Sequence, residues 1–169
     1  MKDLSRRELL RTGGLALAGS LFGLAACSPQ APAATAAPGK SFEIIRSEAE
    51  WRERLSPAQY AVLRREGTER PYSSPLNAEH RKGVFACAGC ALPLFSSTTK
   101  FESGTGWPSF WAPLPNAVGE DKDSTLGMVR TGVHCRRCGG HLGHVFDDGP
   151  QPTGLRYCMN GVAMTFASA

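Results

Sequence analysis

The chain has 169 residues, which leaves room for one ordinary domain once an N-terminal leader is set aside. Its formal net charge is +4, and the part beyond residue 26 carries 15 basic against 13 acidic residues. So small a surplus does not predict nucleic acid as a partner, because proteins that bind a duplex usually carry a clustered basic face.

The first 27 residues are typical of an export signal. The pair Arg6-Arg7 precedes an apolar run from Leu15 to Ala26, which glycine dilutes and which is short for a bilayer span, so a membrane helix is the weaker alternative. The arginine pair resembles a twin-arginine signal. Leu24-Ala25-Ala26-Cys27 resembles a bacterial lipobox, which predicts that Cys27 carries a lipid anchor. The alternative is an incidental cysteine in an apolar run.

Residues 28–40 are predicted to be a linker. They are almost all Ala, Pro, Ser and Thr, a composition that cannot bury a core and that favours extended polyproline II. Such a segment spans on the order of 40 Å. Leader and linker together predict a protein of the bacterial cell envelope, exported, anchored to the membrane through lipid and facing the periplasm.

Two capping boxes predict a short helical start to the folded domain, which covers residues 41–169. Ser47-Glu48-Ala49-Glu50 opens a helix that runs to Leu55, and Ser56-Pro57-Ala58-Gln59 opens a second one. Gly67 is placed to end the second helix.

From Val84 onward the pattern changes to short apolar or alternating runs separated by Gly, Pro, Asn and Asp, which predicts strands joined by turns. The runs are Val84–Ala86, Gly127–Arg130, His144–Phe146 and Leu155–Phe166. The predicted fold is therefore mainly β, a small antiparallel or barrel-like domain with a short helical preface.

Four cysteines form two C-x-x-C pairs, Cys87 with Cys90 and Cys135 with Cys138. Tetrahedral zinc favours four thiolates, so the pairs predict one structural Zn²⁺ ion that joins two distant hairpins. Two disulfides are the alternative for an exported protein, although cargo of the twin-arginine route folds in the reducing cytoplasm. His141 is a further candidate ligand, but four sulfurs already complete the shell.

The remaining cysteine, Cys158, stands in a run that alternates as a strand does. Arg156, Cys158 and Asn160 share one face of that strand. A nearby guanidinium favours the thiolate, which is the nucleophilic form. A buried inert cysteine is equally compatible with this local pattern.

Several motifs occur in a recognisable order. They are Gly106-Trp107-Pro108-Ser109-Phe110, Cys135-x-x-Cys138, His141-Leu-Gly-His144-Val-Phe-x-Asp148 and Arg156-Tyr-Cys158-x-Asn160. Together with the first cysteine pair and the helical preface, they resemble the B-type methionine sulfoxide reductases, which act on the R epimer. The resemblance runs from about Ser41 to Phe166.

The resemblance implies that Cys158 attacks the sulfoxide sulfur of oxidised methionine in proteins, and that the four paired cysteines hold zinc. The side chains that it places around the substrate are His141, His144, Asp148, Arg156 and Asn160, with Trp107 and Phe110 in substrate-binding positions. A histidine can donate a proton near neutral pH, and an indole face suits an S-methyl group. Without the resemblance, the favoured interpretation of both histidines and of Trp107 is that they are ordinary core residues.

Three positions depart from the pattern of that family. Many members place a resolving cysteine where this chain has Thr105, and the others are Ser74, where glycine is more frequent, and Gly161, where serine is frequent. With no spare thiol in the domain, the sulfenic acid left on Cys158 is expected to be reset directly by a small thiol or a thioredoxin-like protein.

Two other functions compete with this one. A zinc-ribbon binding module explains the cysteine pairs but not Cys158. A thiol–disulfide oxidoreductase would use one C-x-x-C as its working pair, but it needs a βαβ context that the strand-rich pattern does not offer. The protein is expected to be a monomer.

Overall fold

Two short helices begin the domain in the computed structural model, which describes residues 41–124 and 129–169. Helix α1 covers Glu48–Arg54 and helix α2 covers Pro57–Arg65. Both predicted capping boxes are present, because each N-cap serine and the residue three positions later exchange hydrogen bonds. The predictions for the leader, the linker and Cys27 lie outside the described residues.

The end of α2 differs from the prediction by one residue. Glu66, and not Gly67, adopts the left-handed conformation, with a φ of 55°. The N–H of Gly67 then donates to the carbonyl of Ala61 at 2.9 Å, so the C-terminal carbonyls are satisfied without glycine in the left-handed position.

The described residues contain nine strands. They are β1 (Gly83–Cys87), β2 (Pro93–Ser96), β3 (Lys100–Phe101), β4 (Ser109–Phe110), β5 (Val118–Asp123), β6 (Arg130–Cys135), β7 (His141–Phe146), β8 (Arg156–Met159) and β9 (Met164–Ser168). Three strands form one antiparallel sheet in the order β2-β1-β9, and six form a second in the order β3-β4-β8-β7-β6-β5. The mainly β fold class predicted from the sequence is confirmed.

The predicted apolar runs coincide with strands of both sheets. Val84–Ala86 lies within β1 and His144–Phe146 within β7, while Leu155–Phe166 contains β8, a 3₁₀ turn and most of β9. Of the run Gly127–Arg130, Arg130 begins β6, and residues 125–128 lie outside the described part. Strand β5 has no apolar alternation, because it is an edge strand held by its pairing with β6.

Helix α2 directs the chain toward the centre of the larger sheet. It buries Tyr60, Val62 and Leu63, and it packs on β7 and on the 3₁₀ turn Gly161–Ala163. The segment after α2 therefore passes over the ends of β7 and β8. In the described part of the chain no helix is long and apolar enough to cross a bilayer.

Candidate active site

The four paired cysteines meet at one point between the two sheets. Their sulfur atoms all lie within 4.8 Å of one another. A tetrahedral ion with Zn–S bonds of about 2.3 Å holds its sulfurs about 3.8 Å apart. The sulfurs of Cys87 and Cys138 are 3.8 Å apart, and those of Cys90 and Cys135 are 3.5 Å apart. The donor set and the spacing fit one structural zinc ion.

This cluster joins two hairpins. The first pair of cysteines lies at the turn between β1 and β2 of the small sheet, and the second lies at the turn between β6 and β7 of the large one. Hydrogen bonding with Cys135 raises the pKa of Cys87 and lowers the pKa of Cys90. Thiols packed so closely cannot all ionise without a cation between them, so a metal ion is the natural occupant.

Cys158 lies in the middle of the large sheet, with its thiol facing a small pocket. Its strand, β8, pairs with β4 and β7, which places Ser109 and His144 directly opposite Cys158. The pocket has a volume of about 180 Å³. Its lining residues are Thr68, Trp107, Arg130, Gly143, His144, Phe146, Cys158 and Asn160.

Burial raises the pKa of the Cys158 thiol, although contacts with Thr105, Arg156 and Ser109 act in the opposite direction. Arg156 therefore favours the thiolate, as the sequence suggested, but its effect is smaller than that of desolvation. The thiol is the prevailing form of the free protein at neutral pH.

Trp107 forms an aromatic wall of the pocket. Its indole Nε1 donates to the backbone carbonyl of Glu69 at 3.2 Å, which fixes the ring. The preceding Gly106 has a φ of 92°, and an added Cβ would lie 2.8 Å from Pro71 and Tyr72 side-chain atoms. Only glycine allows the chain to approach so closely, so the sequence Gly-Trp serves to place the indole.

His144 is held by an acidic side chain that the sequence did not single out. Its Nε2 lies 2.7 Å from Oδ2 of Asp123 on the edge strand β5, and the same oxygen is 2.8 Å from the Arg130 guanidinium. The His144 and Asp123 side chains are 12% and 17% exposed. The carboxylate thus fixes the orientation of the ring beside Cys158.

His141 does not line the pocket. Its ring meets the edge of the His144 ring, with the centroids 5.3 Å apart. Burial lowers the pKa of His141 to about 4, and the neighbouring His144 contributes in the same direction. At neutral pH His141 is therefore uncharged, and its ring packs against the ring of His144.

Asp148 also lies away from the pocket, where it fixes Arg156. The two side chains form a two-pronged ion pair, with both N–O distances 2.7 Å. The Arg156 guanidinium stacks 4.4 Å from the centre of the Phe146 ring. Asp148 thereby holds the Arg156 guanidinium against the Phe146 ring and near the thiol of Cys158.

Asn160 is buried at the end of β8 and lines the pocket. Its Oδ1 accepts from the N–H of Glu69 at 2.9 Å, and its Nδ2 donates to the carbonyl of Leu142 at 3.0 Å. The Glu69 carboxylate in turn accepts from the N–H groups of Gly161 and Val162. The segment after α2 is thus tied to both Trp107 and Asn160.

Phe110, which the resemblance placed in a substrate-binding position, faces the core and does not line the pocket. Its side chain is fully buried and stacks on Phe95, with the ring centroids 4.3 Å apart. Phe110 faces the core because it alternates with Ser109, whose backbone lies opposite Cys158. The phenyl group that does line the pocket belongs to Phe146.

Five further residues complete the site, and the sequence did not predict them. They are Thr68, Glu69, Asp123, Arg130 and Phe146. Glu69 is 91 residues from its partner Asn160, and Asp123 is 21 from His144. No local pattern links such distant positions. Of these five residues, only Phe146 could have been found from a local pattern, because it lies two residues after the His-x-x-His motif.

The domain has one thiol in an aromatic pocket, and its other four cysteines form a single cluster suited to a metal ion. This is the arrangement of a redox enzyme that works with one thiol, and not of a dithiol exchanger. The SelR domain family matches residues 55–168. A "Peptide methionine sulfoxide reductase MsrB" from Agrobacterium fabrum is 57% identical over 73% of this chain and 93% of its own length. Proteins of the same name from Bradyrhizobium diazoefficiens and Leptospira interrogans are 55% and 50% identical, over 72% and 75% of this chain and 88% and 97% of their own. The chain belongs to the MsrB family of SelR-domain proteins.

Proposed function

We propose that this protein reduces the R epimer of methionine sulfoxide in oxidised proteins to methionine, with Cys158 as the nucleophile. The observation that carries the proposal is the placement of this half-buried thiol beside Trp107 and His144 in a pocket of about 180 Å³. The zinc-ribbon module and the dithiol exchanger account for neither this pocket nor the lone thiol within it.

The reaction transfers one oxygen atom between two sulfur atoms. The sulfur of Cys158 attacks the sulfoxide sulfur and forms an S–S bond while the S–O bond breaks and the oxygen leaves as water. That water adds to the sulfur of Cys158 and breaks the S–S bond, so Cys158 becomes a sulfenic acid and methionine leaves as the thioether. Methionine sulfur gains the two electrons that cysteine sulfur loses. Overall, one proton leaves the thiol and one remains on the oxygen, so the reaction consumes none.

His144 donates the proton to the sulfoxide oxygen, because it lies opposite Cys158 on the neighbouring strand. Asp123 lies 2.7 Å from its Nε2 and so orients the ring. Trp107 and Phe146 enclose the S-methyl group between aromatic faces. Asn160 and Arg156 complete the polar surroundings of the reacting sulfur.

An external thiol resets the enzyme. A thiolate of a small dithiol or a thioredoxin-like protein attacks the Cys158 sulfenic acid and releases water, and its second thiol then breaks the mixed disulfide. The zinc ion acts structurally, by holding the two hairpins together.

The direct test measures turnover of peptides that contain either epimer of methionine sulfoxide, with dithiothreitol as reductant. The unaltered protein should reduce the R epimer, and Cys158→Ser should abolish this activity while zinc content and fold stay unchanged. Substantial turnover by Cys158→Ser would refute the role of this cysteine.

The leader supports a second proposal, on location. We propose that the enzyme is a monomer, is exported by the twin-arginine route and is held by a lipid anchor that faces the periplasm. The features behind this proposal are the pair Arg6-Arg7, the lipobox ending at Cys27 and the spacer 28–40. Arg6→Lys with Arg7→Lys should trap the protein in the cytoplasm, and Cys27→Ala should prevent membrane anchoring. Unchanged export of the double variant would indicate the general secretory route instead.

A further inference from the structure

A second cavity, an apolar groove, adjoins the catalytic pocket. Its volume is about 640 Å³, enough for several apolar side chains. The apolar walls come from α2, from the 3₁₀ turn Pro75–Ala78 and from the end of the chain: Ala58, Ala61, Val62, Leu76, Val162 and Met164.

The groove and the pocket share a wall. Thr68 lines both cavities. Glu69 lines the groove, while its backbone binds Trp107 and Asn160, two residues of the pocket. Gly161, the residue after Asn160, also lines the groove. The groove is therefore one of the surfaces that a polypeptide extending from the pocket meets.

The groove carries little charge. Among the described residues that line it, Glu69 alone is charged, and its carboxylate accepts hydrogen bonds from the N–H groups of Gly161 and Val162. An exposed groove of this kind favours apolar side chains over polar ones.

We propose that the groove binds an apolar side chain of the same oxidised polypeptide whose methionine sulfoxide occupies the pocket. This inference rests on the proposed function. A methionine sulfoxide within a polypeptide brings its neighbours with it, and an extended chain advances about 3.3 Å per residue, so side chains a few positions away reach the groove. The enzyme thereby prefers sulfoxides in apolar segments.

The test introduces a carboxylate into the groove by Ala58→Glu. Ala58 is the second residue of α2, where an acidic side chain interacts favourably with the helix dipole, so the fold is preserved. The matched control is Ala49→Glu, because Ala49 is the exposed second residue of α1, which also begins with a capping box. Three substrates are compared with dithiothreitol as reductant: N-acetyl-methionine-R-sulfoxide, and two peptides whose sulfoxide is flanked by leucines or by serines.

The unaltered full chain should reduce the leucine peptide with the higher kcat/KM. Ala58→Glu should lower that value about tenfold and leave the serine peptide and the acetylated amino acid unchanged, while Ala49→Glu changes none of them. Equal turnover of the two peptides by the unaltered chain, or an equal loss on all three substrates in Ala58→Glu, would overturn the proposal.

Two further outcomes are distinguishable. If the unaltered chain reduces none of the three substrates, the proposed function fails, and calorimetric binding of the leucine peptide then decides the groove: weaker binding to Ala58→Glu supports it and equal binding refutes it. A dimer in solution that Ala58→Glu dissociates would place a second copy in the groove and would also refute the proposal.

Discussion

The hydroxyl oxygen of Thr105 lies 3.8 Å from the sulfur of Cys158. Thr105 occupies the position at which the family resemblance implies a resolving cysteine, and the structure shows the two side chains in contact. A thiol at this position would therefore reach Cys158 with little movement of the backbone.

Without reductant, an equimolar pulse of sulfoxide should yield about one methionine per enzyme and leave Cys158 as a sulfenic acid that dimedone labels. Thr105→Cys should instead form an internal disulfide with Cys158, detected by non-reducing mass spectrometry, and Thr105→Ser is the matched control. A native disulfide that includes Cys158 in the unaltered domain would contradict this prediction, because a zinc-site cysteine would then have resolved the intermediate.

Asp123→Asn should lower kcat at least about tenfold with little change in KM, because the carboxylate fixes the orientation of the His144 ring beside Cys158. Asp121→Asn is the control, since Asp121 lies on the same strand but pairs with His134 at 3.2 Å. Equal losses in the two variants would argue against a specific role of Asp123.

Cys135→Ser should release zinc and lower the free energy of unfolding by several kcal/mol, because metal binding contributes directly to folding at such sites. Metal analysis and chemical denaturation measure the two effects. Cys158→Ser, which lies outside the cluster, should keep its zinc. A stable Cys135→Ser protein with one zinc ion per chain would exclude a four-cysteine site.

The pH dependence of alkylation should report the buried state of Cys158. Burial disfavours the thiolate and raises the pKa, so the rate of reaction with iodoacetamide should still increase above pH ~8.5, the ordinary pKa of a thiol. Arg156→Gln should move the midpoint higher, because it removes a charge that favours the thiolate. Arg54→Gln, on exposed α1, is the control. A midpoint below that of an exposed cysteine would contradict the prediction.

The two smaller departures from the family pattern are neighbours in space. A Cβ added at Gly161 would lie 2.5 Å from Cβ of Ser74. Gly161→Ser should therefore destabilise the protein by about 1–3 kcal/mol, and Ser74→Gly in the same chain should relieve most of that loss. A double-mutant cycle of unfolding free energies measures the coupling, and simple additivity would show that the positions are independent.

Local sequence was sufficient for features that depend on residues a few positions apart. The capping boxes at Ser47 and Ser56 need only a partner three residues later, and each C-x-x-C turn presents two sulfurs on its own. The alternation around Cys158 was also correct, since Tyr157 and Met159 are buried on the opposite face. The resemblance to a family then supplied the functional assignment.

Tertiary structure decided which of these side chains meet. Strand pairing brings Asp123 to His144, and the path of the chain after α2 brings Glu69 to Asn160. Packing buries Phe110 in the core, and Phe146 lines the pocket instead. Desolvation raises the pKa of the Cys158 thiol by more than the nearby Arg156 lowers it. Burial and cross-strand contacts depend on residues far apart in the chain, so no local pattern encodes them.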